Sequence, residues 1–205
     1  MARTTIHGIL LAAGESRRMG FPKPLLRIGS ETFLRRTLDA MLGVVRGVVV
    51  VTGAHEARVR AEVPIDRRIR TVHNPNFSRG QLSSLRSALA AVPADAPAVI
   101  VHLADHPLVM PSTFEAVATK HEATGAAIVI ARHAGRRGHP VLFARAVFDE
   151  LMGAPDEKGA RFVVDAHPER IVYVDVEDPG VTLDLDTPQD LVKAGLEPPP
   201  GEPEA

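Results

Sequence analysis

A glycine-rich turn carries the first recognisable chemistry of this chain. Leu11-Ala12-Ala13-Gly14 continues through Glu15-Ser16-Arg17-Arg18-Met19-Gly20 to Phe21-Pro22-Lys23. Small residues at Ala12, Ala13 and Gly14 let backbone N–H groups close on an anion, and Arg18 and Lys23 can bring charge to phosphates. The spacing matches neither common nucleotide loop. In a Walker loop (Gly-x-x-x-x-Gly-Lys-Ser/Thr) the lysine follows the second glycine at once, whereas here five residues separate Gly14 from Gly20 and Lys23 comes late. The fingerprint Gly-x-Gly-x-x-Gly is absent too. Only 4 of the 24 basic residues are lysines, so Lys23 stands out; on sequence it reads as a solvated cation.

Carboxylates form the second group. Asp105 follows an apolar run at 98–103, and Asp184 and Asp186 precede Thr187-Pro188. Mg²⁺ takes one or two carboxylates and completes its octahedron with water and phosphate oxygens, so aspartates from separate strand ends suit it. Asp184 and Asp186 share one side of an extended segment. Taken singly, Asp105 would begin a turn and Asp186 would help a helix start. Beside a phosphate-type turn they point to a cation. Gln81 and Ser84, three apart at a helix start, share one face. Asn74-Pro75 is a turn in any protein. The basic pair Arg136-Arg137 precedes Gly138-His139-Pro140, which opens a strand. His7, His55, His121, His133 and His167 lack metal-ligand spacing and are assigned nothing.

These groups must be held by a frame, and the hydropathy pattern supplies one. Strands are expected at 5–11, 47–52, 69–73, 98–103, 126–131, 140–143 and 171–176. The unbroken runs Val48-Val49-Val50-Val51 and Val99-Ile100-Val101 predict strands buried on both faces, as in parallel sheets covered by helices. Phe33, Leu34, Leu38 and Leu42 recur at helical spacing, as do Leu82, Leu85 and Leu89. Phe114, Val117 and Ala118 follow Pro111, and Thr187, Pro188 and Asp190 form an N-terminal capping signal. Strands alternating with helices predict an α/β fold: one doubly wound, mostly parallel, Rossmann-like sheet over residues 1–195. Such sheets bind ligands beyond the carboxyl ends of their strands, where the strand order switches. Residues 196–205, rich in Pro and Glu, are expected to form a disordered tail.

Composition removes several classes. With no cysteine, disulfide scaffolds, thiolate metal sites and Cys nucleophiles are excluded. A net charge of −1 argues against a nucleic-acid coat protein. No apolar run reaches the roughly 18 residues of a membrane span, and no secretory signal is evident, so a cytoplasmic location is expected.

The run Leu-Ala-Ala-Gly-x-Ser-x-Arg-Met-Gly-x-Pro-Lys-x-Leu-Leu resembles the signature of nucleotidyltransferases with a molybdopterin-guanylyltransferase-like, nucleotide-diphospho-sugar-transferase fold. Within them it is most similar to molybdenum cofactor cytidylyltransferases. His73-Asn74-Pro75-Asn76-Phe77, Gly80 to Ser84, Ala104-Asp105-His106-Pro107, Gly138-His139-Pro140-Val141 and Leu183-Asp184-Leu185-Asp186-Thr187-Pro188 follow in the expected order, over about residues 5–195. The resemblance implies Mg²⁺-dependent transfer of CMP from CTP to the terminal phosphate of molybdopterin. Leu11, Ala12, Ala13, Gly14, Lys23, Asn74, Gly80, Gln81 and Ser84 would bind the nucleotide, and Arg18, Lys23 and Asp105 would act in catalysis. Asp105 and Asp186 would hold the metal, and Arg137 and His139 would meet the second substrate. A molybdoenzyme would receive the product, and the chain would be a monomer or weak dimer. Two features depart from or subdivide the pattern: His106 stands where the family usually has methionine, and guanylyl-transferring relatives typically have glycine in place of Ala13. A GTP-using molybdopterin guanylyltransferase, a sugar- or polyol-phosphate nucleotidyltransferase, and a non-catalytic nucleotide-binding chaperone for molybdoenzyme maturation remain alternatives.

Overall fold

A computed structural model describes residues 4–199. In chain order its elements are β1 (His7–Ala12), β2 (Arg27–Ile28), β3 (Glu31–Thr32), α1 (Phe33–Leu42), β4 (Val48–Thr52), α2 (Glu56–Glu62), β5 (Ile69–His73) and α3 (Gln81–Leu89). There follow β6 (Ala98–Leu103), α4 (Pro111–Thr124), β7 (Ile128–His133), β8 (Arg136–Ala144), α5 (Phe148–Gly153), α6 (Arg161–Ala166), β9 (Ile171–Asp175) and α7 (Pro188–Lys193). The main sheet has seven strands in the order β5-β4-β1-β6-β8-β7-β9, while β2 and β3 form a small separate ribbon.

Both valine-rich runs are central strands. β1 pairs in parallel with β4 on one side and β6 on the other, and all six of its residues are buried. The chain therefore leaves β1, builds outward through β4 and β5, and returns to β6 on the opposite flank. That reversal opens a crevice between the loops that follow β1 and β6. Only β8 runs against the sheet, antiparallel to β6 and β7, and β9 returns parallel to β7.

Alternating residues of each strand feed two cores. Leu10 and Ala12 pack with α1, α2 and α4, through Leu34, Leu38, Val59, Phe114 and Val117. Ile9, Leu11 and Ala13 pack with α3, α5 and α6, through Leu82, Leu85, Leu151 and Val163. Side chains one apart on a strand thus serve opposite helical layers. The expected capping signal of the last helix holds, with Thr187 and Asp190 forming a reciprocal capping box on α7; Thr32 Oγ1 likewise caps α1 by accepting from Arg35 N at 3.2 Å.

The structure departs from the sequence reading at three edges. β8 starts at Arg136, four residues before the expected Pro140, because β7 and β8 are joined by a hairpin turn at Ala134 and Gly135 with φ 47° and 76°. Three short helices, α2, α5 and α6, were not expected. Leu196, assigned to the tail, packs against Met19, Phe33 and Leu191 and donates its N–H to Leu191 O at 2.9 Å. Residues 200–205 of that tail lie outside the described residues. No helix among the described residues is long and apolar enough to cross a membrane.

Candidate active site

The turn after β1 has little regular structure, so side-chain burial must hold it. Met19 and Leu26 are buried with Phe33, Leu185 and Leu191 in a third apolar cluster, and each side chain of that size contributes on the order of 1.5–3 kcal/mol. Ser16, in the left-handed region at φ 56°, accepts at its carbonyl from Met19 N at 3.0 Å and at Oγ from Lys23 N at 2.9 Å. The same cluster fixes the segment carrying Asp184 and Asp186. Leu185 N donates to the carbonyl of Asp105 at 3.1 Å, which brings the two acidic loops together.

Lys23 is not the solvated cation that the sequence suggested. Its Nζ donates to Asp105 Oδ2 and to Asp186 Oδ1, both at 2.6 Å, and only 15% of its side chain is exposed. Arg18 pairs with the other oxygen of Asp186. Burial alone would lower the Lys23 pKa, but the two carboxylates outweigh it and hold the ammonium above its ordinary range. The Asp105 carboxyl is held below the usual carboxylate range, because Lys23 outweighs the upward push of burial. Asp184 is pushed up, first by desolvation and then by the neighbouring charges of Asp105 and Asp186. Asp105 Oδ1 is buried and has no hydrogen-bond partner among the described residues. Three carboxylates against two cations leave one unbalanced negative charge and an orphaned oxygen, which is the chemistry of a cation site. One donor atom each from Asp105, His106 and Asp184 lies within 4.8 Å of the others. The pair Asp105 and Asp186, by contrast, closes on Lys23.

A cavity of about 420 Å³ opens at this point. Leu11, Ala12, Ala13, Gly14, Arg18 and Lys23 line it, together with Gly80, Gln81, Ser84, Asp105 and Asp186. The structure corrects one position on the nucleotide list: Asn74 is 1% exposed and does not line the cavity. Its side chain is spent on structure, with Oδ1 accepting from Asn76 N at 2.9 Å and Nδ2 donating to Ser83 and Ser84 hydroxyls at 2.9 and 3.0 Å. Asn74 therefore shapes the wall behind Ser84. Gly80, at φ 100°, turns the chain into α3, a backbone conformation that favours glycine.

A second cavity, of about 480 Å³, adjoins the first and shares Leu11, Gln81 and Leu103 with it. Arg137 and His139 line it, joined by Arg136, Arg161, His106 and Asp184. Burial pushes the His139 imidazole down to about 4, and nearby His106 adds to the effect. Gly138 is required here because a Cβ would stand 1.9 Å from the Val181 carbonyl oxygen. Sequence reading missed Arg161 as a cavity residue, whereas both arginines of the basic pair it had noticed, Arg136 and Arg137, line the second cavity. It also missed the buried His102 and Asp178, which carry no local sequence signal.

Residues 8–171 match the family model described as MobA-like NTP transferase domain. A molybdenum cofactor cytidylyltransferase from Escherichia coli (strain K12) is 26% identical over 193 residues, covering 93% of this chain and 96% of that protein. A probable molybdenum cofactor guanylyltransferase from Pelotomaculum thermopropionicum is 30% identical over 199 residues, covering 91% and 90%. The structure of Rv0371c from Mycobacterium tuberculosis H37Rv in complex with manganese superposes with a TM-score of 0.70 at 31% identity, covering 93% of this chain and 97% of that one. With the first cavity built from the motif residues and the family match spanning most of the sheet, the chain belongs to the MobA-like NTP transferases and is a nucleotidyltransferase of that family.

Proposed function

We propose that this protein transfers CMP from CTP to the terminal phosphate of a molybdopterin-type acceptor, releasing pyrophosphate, with Mg²⁺ or a similar divalent ion. The observation that carries the reading is the pair of adjoining cavities, the first lined by the phosphate-type turn with the Asp105–Lys23 pair and the second by arginines. In the reaction an acceptor phosphate oxygen attacks the α-phosphorus of CTP in line. The bond from the α-phosphorus to the bridging oxygen breaks, and pyrophosphate leaves with the electron pair. The nucleophile is already anionic, so no general base is needed. Positioning and charge do the work.

The residues divide those tasks. The Ala12–Gly14 backbone and Arg18 hold the triphosphate, and Lys23 neutralises charge at the α-phosphate. Gln81 and Ser84 face the base and ribose. Arg136, Arg137 and Arg161 draw an anionic acceptor into the second cavity, beside His139. Asp105 and Asp186 are the ligands that the motif implies for a divalent ion, and the orphaned Asp105 Oδ1 and surplus negative charge fit one. Such an ion, when bound, would supply Lewis-acid neutralisation of phosphate oxygens. The manganese in the Rv0371c structure supports a divalent requirement.

The guanylyl-transferring relative favours a second reading, in which GTP is the donor. One experiment separates them: incubation of the protein with each α-labelled nucleoside triphosphate, Mg²⁺ and extracted molybdopterin, following pyrophosphate release and label in the acceptor. Transfer from CTP is expected, and Asp105→Asn should lower it at least about 10²-fold. Transfer from GTP alone overturns the cytidylyl reading. Nucleotide binding without transfer from any of the four would make the protein a non-catalytic carrier.

A further inference from the structure

His106 lines the second cavity, next in the chain to Asp105 of the first, and is 7% exposed. One hydrogen bond orients its ring and another holds its backbone. Nδ1 faces the Gly180 carbonyl oxygen at 3.4 Å. A carbonyl can only accept, so Nδ1 carries the hydrogen and Nε2 keeps its lone pair. His102 Nε2 donates in turn to the carbonyl of His106 at 3.0 Å, holding the backbone beneath the ring. A backbone carbonyl on one imidazole nitrogen is the arrangement that orients metal-ligating histidines.

The other donors are already in position. Asp105 Oδ2 is engaged by Lys23, while its Oδ1 is buried without a partner among the described residues. Donor atoms of Asp105, His106 and Asp184 gather within 4.8 Å of one another. Asp105 lines the first cavity, and His106 and Asp184 line the second, so the three span the wall between them. Carboxylates and water suit Mg²⁺, which demands oxygen ligands and near-ideal octahedral geometry. An imidazole donor moves preference toward first-row transition ions.

We infer that Asp105, His106 and Asp184 form a mixed oxygen–nitrogen cation site, in which His106 favours a first-row transition ion over Mg²⁺. The inference rests on the metal-dependent transferase reading above, and its test is chosen to fail separately from it. Mn²⁺, as its chloride and without nucleotide, is titrated into the full-length protein by calorimetry, alongside Mg²⁺. Pulsed EPR of the Mn²⁺ sample then reads nitrogen coupling directly. The expected result is a nitrogen coupling and binding at least about tenfold tighter for Mn²⁺ than for Mg²⁺. His106→Gln, which offers an amide oxygen instead, should abolish the coupling and cut the Mn²⁺ affinity about 10-fold or more, with Mg²⁺ affinity changed far less. If His106→Gln does not fold, Asp184→Asn serves instead: it should weaken both ions and keep the nitrogen coupling. Bound Mn²⁺ without nitrogen coupling overturns the inference and leaves the transferase reading standing. So does failure to bind Mn²⁺ while nucleotidyl transfer still requires a divalent ion. Transfer that proceeds unchanged in a chelator overturns both.

Discussion

At the scale of single residues, the site is governed by one ammonium shared between two carboxylates. Lys23 compensates Asp105 and Asp186 at 2.6 Å each, so removing it leaves two partly buried like charges facing each other. Lys23→Ala should therefore cost at least about 1 kcal/mol of stability at neutral pH, the lower end for leaving a buried hydrogen-bonding group without its partner. It should also lower kcat much more than nucleotide affinity, because transition-state charge loses a partner. In the double variant Lys23→Ala/Asp186→Asn one of the two facing charges is gone, so part of that stability should be regained in urea melts. His7 illustrates a different balance, far from the site. It is 8% exposed, its Nδ1 lacks a partner among the described residues, and burial, aided by Arg46, depresses its pKa. In the unfolded chain His7 takes up a proton near pH 6.5 that the folded chain resists. Its contribution is thus unaffected above that pH and turns destabilising as pH falls below it, by at most about 1.4 kcal/mol per pH unit. His7→Val should show a smaller drop in urea midpoint than wild type between about pH 8 and pH 5.5. An equal drop would absolve His7.

At the scale of elements, Asp178 ties the acidic segment to a helix start. Its Oδ2 accepts from Met110 N at 2.8 Å and from Thr113 Oγ1 at 2.6 Å, and its Oδ1 accepts from Gly180 N at 3.0 Å. The residue is 2% exposed, so Asp178→Ala strands several buried donors and should cost about 2–4 kcal/mol. Asp178→Asn keeps one accepting oxygen and should cost about half as much. Loss of activity with an unchanged melting temperature in Asp178→Ala would contradict this role. Nothing around Asp178 in the sequence announces it, because its partners lie on distant segments. The central strands were legible for the opposite reason: Val48–Thr52 is apolar almost throughout and needs no neighbour to reveal that it is covered on both faces. The helices that went unread are short. α2 buries only Val59, and α6 only Val163 and Val164, too few to register a 3.6-residue period. The start of β8 was hidden by Arg136 and Arg137, which pair across an exposed hairpin with His133 and Arg132 and carry no apolar alternation. At the site, the motif order located the turn, Asp105 and Asp186. The sequence could not tell that Lys23 would bridge the two acids, or that Asn74 would face inward.

At the scale of the whole molecule, the reversal of strand order around β1 sets where a base can sit. The turn after β1 meets the start of α3 across the crevice, so Ala13 and Gln81 border the same cavity. Ala13 is 5% exposed and packs tightly enough that a Cβ at Gly53 would come within 2.8 Å of the Ala13 methyl and of Phe77. With Gly53 and Phe77 behind it, the methyl cannot easily retreat, and a two-ring guanine would have to displace it. Packed sites resist added volume at roughly 1–3 kcal/mol, or about 5- to 150-fold in kcat/KM. That range is too small for strict selection, so hydrogen bonds from Gln81 and Ser84 must supply the rest. Ser84 Oγ already accepts from Asn74, which leaves its own proton free to donate to a base acceptor. CTP should therefore be preferred over GTP, and Ala13→Gly should narrow the preference without reversing it. The variant should also lose about 0.4–1 kcal/mol of stability from the added freedom of the unfolded chain. The measurement is kcat/KM for both nucleotides on wild type and Ala13→Gly. A wild type that prefers GTP would remove the cytidylyl reading, whereas an unchanged ratio in the variant would remove only the steric account and leave Gln81 and Ser84 as the discriminating residues.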